Sequence, residues 1–286
     1  MRANVIIFSK DRAAQVHACV RSLIANCADK LGEDYSISVL YKASTEDFMN
    51  GYEICKSSLE HESIEWKLQR HDMSFRKDLK MLFNGREANP LTMFLVDDIL
   101  FRDRFSFFDP EIETLMDSNA LLACSLRLDK NITECYATNS PSAVPAFVKA
   151  CVWNWYGAQG DWGYPYSVDG NVYRTGTVIK KILNSDFANP NQFEASLNVN
   201  NASLVGLGTE EKPTYMICYV NGSKLVNIPA NRVQDEYANR VASIMSPEEM
   251  NVHFCEKGEQ ISLSTVSDLK NSTVHVEIPI VWEKRN

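Results

Sequence analysis

Met93-Phe94-Leu95-Val96-Asp97-Asp98-Ile99-Leu100-Phe101 decides the reading of this chain. Its first four residues are apolar and suit a buried strand, and they run straight into two carboxylates. Adjacent carboxylates at a strand end are costly if buried unpaired. At the C-terminal edge of a parallel sheet, however, they sit where open α/β folds bind their ligands. Carboxylate oxygens are the hard donors that Mg²⁺ and Mn²⁺ prefer, and such an ion usually also holds phosphate oxygens. The plainer alternative is that Asp97 or Asp98 caps a following helix.

Upstream, Val5–Phe8 reads as a first strand that ends in the polar turn Ser9-Lys10-Asp11-Arg12. Val16, Val20, Leu23 and Ile24 then share one helical face. Ile37–Tyr41 is a second strand, Leu79, Leu82 and Phe83 mark another helix, and Ala120–Leu128 reads as a further strand. Strands alternating with helices imply βαβ units and a mostly parallel, buried sheet. Downstream, Trp153–Thr175 is rich in aromatics and glycine, and helical patches follow at Thr177–Leu183 and Phe193–Leu197. Thr214–Val220 and Lys224–Ile228 are expected to form a hairpin about Asn221-Gly222. A helix near Pro247–Phe254 and a closing strand at Val274–Ile280 complete the chain.

Composition narrows the function. The 286 residues are 45 % apolar and 23 % charged, the balance of a globular protein with a sizeable core. A net charge of −8 argues against a sequence-independent grip on nucleic acid or anionic membrane. The short apolar run Val5–Phe8 does not read as a signal peptide, and no stretch approaches ~18 uninterrupted apolar residues, so no transmembrane segment and a cytoplasmic location are expected. The 8 cysteines form no CxxC pair and read as reduced core residues. The first turn has no GxGxxG or GxxxxGK[ST], which disfavours a dinucleotide fold and excludes a P-loop.

Read together, the Ser9-Lys10-Asp11-Arg12 turn and the strand ending in Asp97-Asp98 resemble the nucleotide-sugar-binding half of GT-A glycosyltransferases. The family's Asp-x-Asp feature falls on Val96-Asp97-Asp98, where the first position is Val. The resemblance implies an α/β fold: a mostly parallel sheet flanked by helices, with an antiparallel and helical C-terminal extension. It divides the chain into a domain over 1–235, with a nucleotide-sugar half at 1–128 and an acceptor-side half at 129–235, and an extension at 236–286. It implies donor contacts from Phe8, Ser9, Arg12, Tyr41, Lys77 and Asp97. It also implies Mn²⁺ or Mg²⁺ on Asp98, with Asp97 beside it and His275 completing the site, His253 being second choice. The plainer reading of His275 is a satisfied structural histidine.

Trp162-Gly163-Tyr164-Pro165-Tyr166-Ser167-Val168-Asp169-Gly170-Asn171 resembles the acceptor-side segment of inverting members. Asp169 is then the general base, with Asp161 and Glu194 in reserve, because inversion needs one carboxylate to take the acceptor hydroxyl's proton. Clustered Trp and Tyr offer flat faces for sugar rings, or else simply build a core. The loop Asn227–Gln234 would bring Arg232 towards phosphate. The implied partners are a nucleoside-diphosphate sugar donor and a glycan or glycolipid acceptor. Two rivals stand beside this reading: a sugar-phosphate nucleotidyltransferase, which would want a glycine-rich first turn, and a non-catalytic glycan-binding module.

Overall fold

The computed structural model describes residues 1–61, 63–70, 74–205, 214–232, 245–267 and 269–285, with side chains described for all of these but 199–205. The first half alternates strands and helices: β1 (Ala3–Lys10), α1 (Ala13–Asn26), β2 (Tyr35–Lys42), α2 (Glu46–Ser58), β3 (Ile64–Leu68), α3 (Phe75–Leu82) and β4 (Leu91–Val96). Next come β5 (Ile99–Phe101), α4 (Pro110–Asp117) and β6 (Leu121–Ser125). Short strands follow: β7 (Glu134–Cys135), β8 (Ser140–Pro141), β9 (Phe147–Lys149), β10 (Val152–Asn154) and β11 (Asn171–Arg174). The last elements are α5 (Thr175–Asn184), α6 (Pro190–Val205), β12 (Tyr215–Cys218), β13 (Leu225–Asn227), α7 (Pro247–Cys255), β14 (Glu259–Ile261) and β15 (Trp282–Lys284).

Among the described residues nine strands form one sheet in the order β3-β2-β1-β4-β11-β6-β12-β10-β9. The ladders β3–β2, β2–β1, β1–β4 and β6–β12 are parallel. β11 enters antiparallel between β4 and β6. Alternating side chains send β1 residues to both faces: Val5 and Ile7 join the core under α1 and α2, while Ile6 and Phe8 join the one under α3, α5 and α6. The sheet is therefore covered on both sides, which is why its strands read as continuous apolar runs.

This order places the functional edge. The chain winds outward from β1 through β2 to β3, then returns to the other side of β1 as β4. Winding reverses between β1 and β4, and the crevice beyond their C-terminal ends is the topological switch point where such sheets bind ligands. Because β11 runs the other way, its N-terminal end meets the same edge. Gly170 fixes it there: its N–H donates to the Phe94 carbonyl (2.8 Å) and its carbonyl accepts from Leu126 N–H (3.1 Å). Only glycine suits this position, because φ is +86° and an added Cβ would lie 2.4 Å from Leu225 Cδ2.

Three expectations are corrected. Asp97 and Asp98 do not cap a helix; they form the turn between β4 and β5, and the next helix begins only at Pro110. No hairpin forms about Asn221-Gly222. The chain turns there, but both edges of β12 are already paired, with β6 and β10, so β13 pairs with β5 instead. Val274–Ile280 is not a strand: it makes one bridge, Asn227 to His275, and Pro279, which has no N–H to donate, follows. The closing strand is β15, paired with β14. The helix expected near Pro247–Phe254 is α7, started by a capping box between Ser246 and Glu249.

Candidate active site

The turn after β1 is held by side chains that the sequence brings in from three elements. Asp11 adopts φ +56°, a left-handed conformation that Asp tolerates, and its Oδ1 accepts the Ser44 N–H (2.6 Å). Ser9 Oγ pairs with Tyr52 Oη (2.6 Å), which also accepts the Arg12 N–H (3.2 Å). Arg12 then reaches across to β4, where its Nη1 donates to Asp97 Oδ1 (2.9 Å). The same guanidinium binds Asn231 through Oδ1 (2.8 Å) and the backbone carbonyl. The other Asp97 oxygen accepts the Lys10 N–H (3.2 Å). Both Asp97 oxygens are thus engaged, and Arg12 pins β1, β4 and the 228–231 segment together.

Asp98 is the freer of the pair. Its Oδ1 accepts from Asn227 Nδ2 (3.0 Å), and its Oδ2 lies 3.7 Å from Arg12 Nη1. Burial, with Asp97 and Asp169 nearby, pushes its carboxyl up to about 6 despite Arg12. Asn227 also favours the ionised form of Asp169, so one side chain acts on the carboxylates of β4 and the β11 turn. Burial and Asp161 hold Asp169 above the usual carboxylate range, and Arg127 acts against them.

Arg127, just past the end of β6, was not singled out from the sequence. Only 3 % of its side chain is exposed, and it lies 3.1 Å from Asp161 Oδ1 and 3.4 Å from Asp169 Oδ2. A charged residue enclosed by Leu126 and Leu128 at a strand end was the signal available for it. Asn227, Asn231 and Tyr52 were likewise not singled out. His275 Nε2 stands 3.9 Å from Asp169 Oδ2, but burial lowers the imidazole's pKa, so this is proximity to a neutral ring. That ring stacks on Tyr136 (5.3 Å), and its Nδ1 has no hydrogen-bond partner among the described residues.

Glu194, near the start of α6, accepts the Val168 N–H (2.9 Å). Burial and Asp169 push its carboxyl up to about 7. The folded pKa exceeds the unfolded one, so folding takes up a proton between them. The stabilisation is full below about 4.5 and is lost as pH rises through about 7. Thermal unfolding against pH is therefore expected to show wild type losing ground to Glu194→Gln across that window. A difference that stays flat with pH would remove this titration.

The remaining predicted residues fall in different places. Phe8 packs in the core against Phe75 and Phe94 (5.3 and 5.7 Å). The Tyr41 ring packs at a tilt against Tyr52 (4.5 Å), and its hydroxyl accepts a hydrogen bond from Lys56 (2.6 Å). With Trp66, Leu68, Arg70 and Lys77 it lines an open cleft of ≈ 500 Å³ beside the C-terminal ends of β2 and β3. His253 lies away from this edge, paired with Glu259 (2.7 Å). Arg232 is exposed, and residues 233–234 of its loop lie outside the described residues. The aromatic cluster is largely core: Trp153 and Trp162 are fully buried, and their indole N–H groups donate to backbone carbonyls. Only its rim, Trp155, Tyr156 and Tyr164, reaches the outside.

A divalent ion fits this edge in one form. Among the described residues no three His, Cys, Asp or Glu side chains are arranged to enclose an ion. Asp98 remains the carboxylate with an oxygen to give. Mg²⁺-type sites built from one or two carboxylates plus substrate phosphates need no more from the protein.

A solved structure shares this architecture. S. aureus TarS residues 1–349 in complex with UDP-GlcNAc matches with a TM-score of 0.51 at 11 % identity, over 94 % of this chain and 68 % of that one. The chain has the GT-A-type fold. The longer S. aureus TarS structure gives a TM-score of 0.47 at 10 % identity over 94 % of this chain, which spans only 41 % of that protein's length. The mannosyltransferase PcManGT from Pyrobaculum calidifontis, in complex with GDP-Man and Mn²⁺, gives 0.41 at 11 % identity over 77 % of this chain and 55 % of that one. No protein-family model matches the chain, and no curated protein matches it in sequence. A shared fold leaves the chemistry to the side chains.

Proposed function

We propose that the chain is a glycosyltransferase that moves a sugar from a nucleoside-diphosphate donor to a carbohydrate acceptor with inversion. The observation carrying this reading is the convergence of Asp98, Asp169, Asn227 and Arg127 at the switch point. The cleft of Tyr41, Trp66 and Lys77 takes the nucleoside and the first phosphate, with the aromatic faces against the base. Asp98 would hold a divalent ion, Mn²⁺ or Mg²⁺, whose charge offsets that developing on the leaving diphosphate.

Asp169 is the general base. Its carboxylate takes the acceptor hydroxyl's proton while that oxygen attacks the anomeric carbon opposite the diphosphate. Its raised pKa suits the task, since a base works best with a pKa near the operating pH. Arg127 favours its ionised form and fixes its direction. Residues 1–128 would serve the donor and 129–235 the acceptor, and 236–286 would be an extension packing on the same domain. Among the described residues no helix is long and apolar enough to cross a membrane. The proposal includes a cytoplasmic location and a glycan or glycolipid acceptor.

The nucleotidyltransferase alternative lacks its expected glycine-rich first turn, since Ser9-Lys10-Asp11-Arg12 has no glycine. A glycan-binding module has no need of the buried carboxylates. The test is the anomeric configuration of the product, followed by NMR with a panel of nucleotide sugars. Inversion is expected; a product that keeps the donor's configuration would contradict the role given to Asp169.

A further inference from the structure

Two cysteines that the site does not use face each other across the far end of the large sheet. β10 and β12 pair antiparallel in the register Val152–Ile217, Trp153–Met216 and Asn154–Tyr215. One step further along this register brings Cys151 opposite Cys218, and the Cys218 N–H donates to the Cys151 carbonyl (3.1 Å). Residues directly opposed across an antiparallel ladder have Cα atoms ~4.5–5.5 Å apart, inside the ~4.4–6.8 Å range a disulfide requires. The Cys218 thiol also donates to the Cys151 carbonyl (3.7 Å).

The backbone adds an independent observation. Cys151 occupies the β9–β10 turn with φ +58°, a left-handed conformation that favours Gly or Asn. A cysteine there carries strain that glycine would remove, and such outliers cluster where a side chain has a task. Access differs between the two: Cys151 is half-buried and Cys218 is buried.

We infer that Cys151 and Cys218 form a dithiol that closes to a disulfide on reaction with a small-molecule disulfide such as oxidised glutathione. Cys151, the reachable thiol, loses its proton and attacks one glutathione sulfur, releasing one glutathione thiolate and leaving a mixed disulfide. Cys218 then loses its proton and attacks the Cys151 sulfur, releasing the second glutathione thiolate. Two protein thiols are oxidised and one small disulfide is reduced to two thiols. Burial raises the pKa of both cysteines, so closure is slow at neutral pH and quickens as pH rises.

The experiment treats the full chain with oxidised glutathione at mildly alkaline pH, alkylates it, and maps it by mass spectrometry without reduction. Free thiols are expected to fall by two from the chain's 8, with one linked peptide pair carrying Cys151 and Cys218. Cys218→Ser should trap glutathione on Cys151, and Cys151→Ser, at a half-buried turn, should leave Cys218 reduced. Native thermal unfolding of each variant checks that it is folded, and the wild-type link stands without them. Wild type that keeps glutathione on Cys151 with no link, or keeps both thiols free, would overturn the inference.

Discussion

Asp169→Asn is expected to lower the rate of sugar transfer about 10²–10⁴-fold, the usual worth of a positioned general base. Asparagine keeps the shape and an oxygen that can face Arg127 but accepts no proton, so donor affinity should stay near wild type. That split between kcat and KM separates a base from a donor ligand. Glu194 is the built-in control. Its carboxyl, pushed up to about 7, is already occupied by the Val168 N–H and lies against Asp169. A chain in which Glu194→Gln loses transfer while Asp169→Asn retains it would move the base to Glu194.

Arg12→Ala is expected to destabilise the free protein by about 3–5 kcal/mol, because it leaves the buried Asp97 carboxylate without its charged partner. Asp97 is 4 % exposed, and its remaining backbone donor at 3.2 Å does not replace a guanidinium. The melting temperature should fall by roughly 2–4 °C per kcal/mol for a chain of this size. The double variant Arg12→Met/Asp97→Leu, which removes both charges, should recover much of the loss. Were Arg12 instead a phosphate ligand, the single variant would leave the ligand-free protein's stability unchanged and weaken only diphosphate binding.

These two residues show where the sequence was readable. The βαβ half could be traced because its strands are buried on both faces and its helices keep one apolar face, signals that local periodicity carries. The double aspartate could be placed at the end of a buried strand because an apolar run led straight into it. The pairing of Arg12 with Asp97 was not readable, since it joins residues 85 positions apart through the switch point. Arg127, Asn227 and Asn231 likewise act through partners 42, 129 and 219 positions away. The late strands failed for a related reason. Asn221-Gly222 announces a turn, but which edges were still open to β12 and β13 is fixed by the rest of the sheet. Residues 274–280 alternate like a strand yet find one bridging residue, Asn227. The aromatic cluster had the composition of a sugar platform, and burial decided that Trp153 and Trp162 are core.

Nucleotide binding at the switch point is the central claim, and thermal unfolding with UDP, GDP, CMP and dTDP, each with Mn²⁺, Mg²⁺ or EDTA, tests it most directly. A ligand at ~100 times its dissociation constant stabilises the folded state by ~2.7 kcal/mol, a readily measured shift. The account predicts a shift with one nucleoside diphosphate that EDTA abolishes and that Asp98→Ala removes. Well-folded protein that shifts with none of the four nucleotides would contradict it.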